Sequence, residues 1–474
     1  MNILPRQFKL NIFISQRFCF FVLVCFIFVD VSPYVVSQDD ATPQLLLEVN
    51  EGLHLYELNA DGTSDLFYSF PAEFSLYQRG ETEWVIPSPQ HIVISPTGDR
   101  IAFVATYEFI DTSLFWFDIG QTDLQQVEIP GLGFPEWSPN GQMLILHSEY
   151  MMIDQYLNLN DAYLYVFADN SLNLLPNPLN SSLRSGFRWL SNQQILYLGR
   201  SSDCDEPCIW SSDLFLLTLD LITAVKLTDI GQQIPNSIAE DVIEYYSFCL
   251  VDMDQLQVLN DLIYYVVTCF DTTDQAFSFL YSVDLDRNNQ LHANVPSMYT
   301  DNFYMVIRNL QAVNDIIYFA VESQTRPQIG GLEAIFGNWR VFSMVSDQMP
   351  VLISESRFAG SAHANLFDID WFSSQNQLIQ GGRGNIDESV TNRMGYYEII
   401  NVNTGQMILQ GELINEIICT VEWIDDTHVL ISTDIGNCRT FGSPASIITL
   451  DILTGVQIDI SDEFEGEIWL LESP

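Results

Sequence analysis

Ile94-Ser-Pro-Thr-Gly-Asp-Arg-Ile-Ala-Phe-Val-Ala105 and Trp137-Ser-Pro-Asn-Gly-Gln-Met-Leu-Ile-Leu-His-Ser148 share one pattern: a strand end, a Ser-Pro-x-Gly turn and a buried strand. A unit of this size cannot cover both of its own faces, so its recurrence predicts a repeat architecture in which neighbours bury one another. Worn copies continue along the chain. The series is His91–Ala105, Phe134–Ser148, Phe187–Gly199, Leu256–Thr268, Leu310–Glu322, Phe367–Gly381 and Cys419–Thr433. A tryptophan precedes the turn at Trp137, Trp189, Trp371 and Trp423, and the first and last pairs are equally spaced.

A second element alternates with the first: a strand of period two, then a polar turn. It reads Leu53–Gly62, Leu114–Gly120, Leu164–Asn170, Leu214–Asp220, Leu280–Asp286, Val341–Asp347, Tyr397–Gly405 and Ile447–Gly455. Strict alternation sends one side of each strand inward and the other outward. The Asp, Asn and Gly residues that follow suit the positive φ of a hairpin turn. No sustained helical period occurs, so the chain is expected to be all-β. Two strands plus two strands make a four-stranded unit recurring about every 50 to 60 residues, which is the signature of a β-propeller. The second element occurs eight times and the first seven. Sharing one blade between the ends resolves the mismatch, with Glu467–Leu471 supplying one strand and Leu45–Val49, Leu53–Leu58 and Asp65–Phe70 the other three. The expected domain, 38–474, is therefore a single propeller of eight four-stranded blades; seven blades with one inserted hairpin is the alternative.

The chain has 474 residues, 47% hydrophobic and 13% aromatic, ample for a large core. Arg6, Lys9 and Arg17 precede the apolar run Phe18–Val29, which is short for a spanning helix, and Val35-Val36-Ser37 offers a cleavage site. Residues 1–37 therefore read as a secretory signal peptide, with an uncleaved anchor as the alternative. The formal net charge of −45 becomes more negative once that segment leaves, and Lys226 is then the only lysine. Such a surface repels nucleic acid and anionic membranes. Spread evenly along the chain, the acids read as a solubilising surface rather than a cation site.

Removal of the leader takes Cys19 and Cys25 and leaves Cys204, Cys208, Cys249, Cys269, Cys419 and Cys438. An even number in an exported chain favours structural disulfides. The matched spacing of 249 to 269 and 419 to 438 predicts two hairpin-clamping bridges, with Cys204–Cys208 closing a small loop.

The Ser-Pro-x-Gly copies, together with Leu114-Phe-Trp-Phe-Asp-Ile119 and Tyr397-Glu-Ile-Ile-Asn-Val-Asn-Thr-Gly405, resemble the repeats of TolB-type (PD40, WD40-like) β-propellers. In that family a Ser-Pro-Asp-Gly-like turn joins the first two strands and an Asp-x-x-Thr-Gly-like segment closes the third. Only two copies here keep Ser-Pro-x-Gly; others carry Leu190-Ser-Asn-Gln193, Ser373-Ser-Gln-Asn376 or Ile424-Asp-Asp-Thr427. The resemblance implies a propeller and little about activity. TolB has an additional N-terminal α/β domain, for which 38–44 is too short. Prolyl-oligopeptidase relatives add a hydrolase domain bearing Gly-x-Ser-x-Gly, a motif the sequence lacks.

Chemistry-bearing patterns are sparse. His54, His91, His147, His292, His363 and His428 are scattered without ligand spacing, although a ring can gather distant residues at its axis. Asn59-Ala-Asp-Gly62 and Asp284-Leu-Asp-Arg-Asn288 echo a calcium loop but lack its terminal Glu, and both fall where a hairpin turn is required. No catalytic, cofactor or metal residues are assigned. The longest insertions, Ser201–Ser212, Asp229–Asp254, Ser323–Asn338 and Gly382–Met394, read as loops on a rigid scaffold. The third, with Arg326, Pro327, Gly330, Gly331, Phe336 and neighbouring Trp339, reads as a solvated loop, with partner binding as its functional alternative. The expected function is an exported, non-enzymatic binding or scaffold propeller for a protein, glycan or small molecule. The rivals are a glycan hydrolase or lyase with axial carboxylates, and a cell-envelope assembly or sensor component.

Overall fold

The two quoted stretches fold as their sequence dictates. Ile92–Ile94 pairs antiparallel with Arg100–Tyr107, and Phe134–Trp137 with Met143–His147. In each turn the serine organises the backbone. Gly98 N and Gly141 N donate to the carbonyls of Ser95 and Ser138 at 2.8 Å. Arg100 N and Met143 N donate to the matching serine hydroxyls at 3.1 and 2.9 Å. Both glycines sit in the left-handed region, at φ 66° and 64°, where a Cβ is unfavourable. Worn repeats solve the same turn differently. Asn260 and Asp261, both at positive φ, form the two-residue turn between Tyr246–Leu259 and Leu262–Asp271. Asp425 takes the serine's part in a third copy, accepting from Thr427 N at 2.7 Å and His428 N at 2.8 Å.

This computed structural model describes residues between 45 and 471 apart from 50–51, 60–62, 77–83, 108–110, 122, 132, 148–160, 180–183, 200–209, 231–245, 272–275, 295–303, 314, 326–327, 330–331, 334, 346–347, 361–366, 373–376, 384–393, 415–416, 435–445, 462–463 and 465–466. All fall in one unit, Ser37–Pro474. The expected leader, Cys204, Cys208, Cys438 and His363 lie outside the described residues.

The architecture is all-β, and its strands group into antiparallel four-stranded units, numbered here along the chain. Unit 1 orders Glu467–Leu471, Leu45–Val49, Leu53–Leu58 and Ser64–Ser69. In unit 2 the first strand is split into Trp84–Ile86 and Ile92–Ile94, followed by Arg100–Tyr107, Asp111–Asp118 and Gln125–Ile129; Phe74–Leu76 adds in parallel. Unit 3 is Phe134–Trp137, Met143–His147, Ala162–Val166 and Ser171–Leu174, and unit 4 is Arg184–Ser191, Gln194–Gly199, Asp213–Thr218 and Thr223–Lys226. Unit 5 runs Tyr246–Leu259, Leu262–Asp271, Ala276–Val283 and Asn289–Asn294; unit 6 runs Tyr304–Val313, Ile316–Thr325, Ile335–Val345 and Val351–Gly360. A short parallel pairing of Ala276 and Phe277 with Tyr304 and Met305 joins these two into one larger sheet, to which Trp210–Ser211 also adds. Units 7 (Phe367–Phe372, Gln377–Arg383, Met394–Asn401, Gln406–Ile414) and 8 (Ile417–Trp423, His428–Asp434, Ser446–Asp451, Gln457–Asp459) complete the series.

The strand expected from the C-terminus pairs as read: Leu47 lies opposite Trp469 and Leu45 opposite Leu471. Burial follows alternation, and each apolar cluster bridges two consecutive units. Leu47 and Leu55 of unit 1 meet Phe103 and Phe117 of unit 2. Ala102 and Leu114 meet Trp137 and Tyr165 of unit 3, and Ile145 meets Phe187 and Tyr197 of unit 4. Leu196 and Leu216 pack on Tyr265 and Phe279 of unit 5, and Tyr264 and Leu280 on Ile307 and Phe319 of unit 6. Tyr318 and Val341 reach Leu378 and Ile400 of unit 7, and Ile379 and Ile399 reach Val421 and Ile431 of unit 8. An eighth cluster joins Leu430 and Ile447 of unit 8 to Leu46 and Ile468 of unit 1. Burying each large apolar side chain is worth about 1.5–3 kcal/mol, so every unit is held from both faces.

Three expectations change. The described residues of Ser323–Asn338 are paired strand rather than loop: Ser323 opposes Asn338 and Thr325 opposes Phe336, with Gln328–Ile329 paired to Leu332–Glu333. The end of Asp229–Asp254 belongs to the long strand Tyr246–Leu259. Ser201–Ser212 ends in strand Trp210–Ser211, which pairs with Phe248 and Cys249. In each case added strand pairing satisfies backbone groups that the sequence left to solvent.

Cys249 and Cys269 form the expected disulfide. They lie directly opposite in neighbouring strands, with Cα atoms 4.0 Å apart. In the chain-entropy model such a loop contributes about 3 kcal/mol. Cys419 is disulfide-bonded as well, and its expected partner lies outside the described residues.

A feature with no sequence signal recurs at the outer edges. The pairing of third and fourth strands slips by one residue at Phe67, His292, Ile353 and Ile408, in units 1, 5, 6 and 7. Such bulges twist an edge strand away from foreign pairing. Phe67 and Ile353 use the kink to pack onto the apolar cluster beside them.

Candidate functional site

Units 2 to 4 bring together polar residues that sequence spacing left apart. Alternation in Phe134–Trp137 places Phe134 and Glu136 on one face of the strand and Trp137 on the other. Trp137 reaches back to unit 2, its indole Nε1 donating to Val93 O at 3.3 Å. One repeat later Trp189 Nε1 donates to Glu136 O at 3.3 Å. Val93 and Glu136 occupy the same place in their repeats. At Trp137 and Trp189 the tryptophan before the turn is therefore a hydrogen-bonded staple onto the preceding unit as well as part of an apolar cluster.

The Glu136 carboxylate faces unit 4. Oε2 accepts from Arg188 Nη1 at 2.9 Å and Oε1 accepts from Trp189 N at 3.1 Å. His147 lies opposite Phe134 in the register, with Nε2 3.8 Å from Glu136 Oε2. His91 ends the 3-10 turn Pro89–His91 and shares a 2.8 Å hydrogen bond between Nδ1 and Ser88 Oγ. Phe134 bridges the two imidazoles, its centroid 4.4 Å from His91 and 6.5 Å from His147; His147 continues to Phe187 at 5.6 Å. A row His91–Phe134–His147–Phe187 thus crosses three units beside an ion pair. Both imidazoles are almost fully buried, at 1% and 2% exposure. Among the described residues, His91 Nε2 and His147 Nδ1 have no hydrogen-bond partner. Burial lowers His91 to a pKa of about 4, against a smaller opposing effect of Ser88, so its ring is neutral at neutral pH. Chemically the row holds two buried imidazole nitrogens without a hydrogen-bond partner among the described residues, and a carboxylate already held by a guanidinium.

The other histidines do not join it. His54 Nδ1 meets Ser69 Oγ at 3.0 Å, His292 Nε2 meets Ser282 Oγ at 2.7 Å, and His428 Nδ1 lies 3.0 Å from both oxygens of Asp425. Asp284 is a turn residue, accepting from Asn288 N and Nδ2 at 2.8 and 2.7 Å, which holds its carboxyl below the usual range. Asn59 Nδ2 donates to Thr63 Oγ1 at 3.1 Å and to Asp65 Oδ2 at 3.0 Å. Among the described residues no group of His, Cys, Asp and Glu could hold a metal ion, and no helix is long and apolar enough to cross a membrane. Lys226 pairs with Asp213 at 2.8 Å, and burial raises the Asp213 pKa despite that partner. Arg326, Pro327, Gly330 and Gly331 lie outside the described residues.

No family model and no curated protein matches the chain. Solved structures do. The β-propeller domain of the Trilobed protease from Pyrococcus furiosus is 11% identical, aligns 78% of this chain with 97% of its own, and has a TM-score of 0.38. Dipeptidyl peptidase 4 of Porphyromonas gingivalis is 11% identical over 91% of this chain and 61% of its own, with a TM-score of 0.44. An uncharacterized protein of Listeria monocytogenes EGD-e is 11% identical over 78% and 93%, with a TM-score of 0.39. Likenesses this distant add nothing to the strand pairing and packing described above.

Proposed function

We propose that the chain is an exported, closed eight-bladed β-propeller of TolB-like repeats that acts as a binding scaffold. The carrying observation is the series of apolar clusters, in which each unit packs on the next and unit 8 on unit 1. Closure by the terminal strands ties down both ends without a cap and leaves no open sheet face. Export accounts for the buried Cys249–Cys269 bridge and for the acid excess. In this reading Cys419 bonds Cys438 and Cys204 bonds Cys208.

A binding role is preferred to catalysis because the carboxylate of the candidate site is engaged in joining two units. Glu136 of unit 3 is occupied by Arg188 and by Trp189 N of unit 4. To test this, the purified exported chain is incubated with acidic and neutral polysaccharides and with peptides. No turnover is expected. Turnover abolished by Glu136→Gln, or by another single inner-strand carboxylate change, would replace the scaffold reading with an enzymatic one.

A further inference from the structure

In four units the second turn bonds back to the first turn of the same unit. The donors and acceptors are Ile119 N to Asp99 O (2.8 Å), Phe167 N to Gln142 O (3.2 Å), Leu219 N to Gln193 O (2.9 Å) and Ile452 N to Thr427 O (2.9 Å). First turns of successive units are also linked, Asn140 N to Asn192 Oδ1 at 3.0 Å and Asn260 Nδ2 to Asp315 Oδ1 at 3.3 Å. Both kinds of turn therefore share one end face of the array.

On that face the second turns differ. In units 2 and 3 the apolar turn residue is tucked in: Ile119 packs on the cluster between units 1 and 2, and Phe167 stacks on Trp137 at 4.9 Å. In units 4, 5, 6 and 8 an additional apolar residue stands in water. Leu221 is 72% exposed, Met349 75% and Leu453 76%, with Ile222 and Leu285 also exposed. Turn tips ordinarily carry Asn, Asp, Gly or Ser. Ile222 is further held at φ 49°, a region that β-branched residues avoid. The same turns carry Asp220, Asp284, Asp286 and Asp451, and Arg287 is the one base among their described residues.

We propose that this end face, at the second turns of units 4, 5, 6 and 8, docks a protein partner whose contact surface is apolar and basic. The inference rests on the binding-scaffold reading and names the partner's chemistry. Separate apolar tips on an acidic rim fit side chains inserted between cationic ones, with both signs complementary. A second copy of this chain brings −45 of like charge, and an anionic bilayer is repelled for the same reason.

The probe is a twelve-residue peptide alternating Leu and Arg, with Ser/Arg and Leu/Glu alternations as controls. Each is titrated calorimetrically against the exported chain and against a Leu221→Ser/Leu285→Ser/Leu453→Ser variant, with binding mapped by hydrogen exchange. These exposed substitutions should leave Tm unchanged. The Leu/Arg peptide is expected to protect the second turns of units 4, 5 and 8, and the triple variant to weaken it about tenfold or more. Equal binding to the variant, equal binding of the Ser/Arg peptide, or protection elsewhere would overturn this surface while leaving the scaffold reading intact. Self-association, or flotation with neutral phosphatidylcholine vesicles, that the triple variant abolishes would also overturn it, by showing a different occupant. Absence of binding by every peptide would overturn it as well.

Discussion

Units 2 and 3 keep the Ser-Pro-x-Gly turn; units 5 and 8 have lost it and build the same hairpin with Asn260–Asp261 and with Asp425. Both solutions feed equally buried second strands: Phe103 of unit 2 and Phe319 of unit 6, another unit without the motif, are fully buried. The turn chemistry is thus replaceable, whereas the alternation that fills the clusters is not. What separates the halves is the surface. Units 2 and 3 fold their turn residues Ile119 and Phe167 inward, and units 4, 5, 6 and 8 leave leucine, isoleucine or methionine in solvent.

If packing rather than motif holds the repeats, Phe103→Ala and Phe319→Ala should destabilise alike, by about 3–5 kcal/mol each. Denaturant unfolding of the two variants measures this. A much smaller loss at Phe319 would mean that the worn units are only loosely packed.

The next effect belongs to the inner strands of units 2 to 4. His91 has a folded pKa of about 4 against an ordinary value of 6.5. The unfolded chain therefore takes up the proton first, and stability rises with pH across that window. The contribution is complete above pH 6.5 and is lost as pH falls toward about 4, an effect of order 3 kcal/mol. Tm measured from pH 7 to 4.5 should fall less steeply in His91→Gln than in the parent. Parallel curves would remove His91 as the cause.

The smallest effect separates two copies of one turn. Gly98→Ala meets nothing within 4 Å and should cost about 1–2 kcal/mol for its positive φ alone. Gly141→Ala adds a Cβ 3.0 Å from Thr97 Oγ1 and should cost more. Equal Tm losses would show that Thr97 yields without penalty.

The fold was legible because its repeat is local. Ser95, Ser138, the alternation of Leu114–Phe117 and the leftover strand at Trp469 are each readable within a few residues. The candidate site was not, because His91 and His147 belong to different units and meet only through Phe134, a residue with no chemical signal of its own. Nor did sequence separate loop from strand at Ser323–Asn338, where Gly337 and Asn338 look like turn residues but lie in a paired strand. The outer bulges at Phe67, His292, Ile353 and Ile408 also have no residue type common to all four, since they answer to twist rather than composition.

A closed ring requires the two ends to pair, and hydrogen exchange at Leu45–Val49 reports that pairing. In the full chain these amides pair with Leu53–Leu58 and with Glu467–Leu471 and should be among the slowest to exchange. Deleting 467–474 should release them and, through the cluster of Leu46, Leu430 and Ile447, accelerate exchange in Ser446–Asp451 of unit 8. Unchanged protection at both places after the deletion would contradict a closed ring.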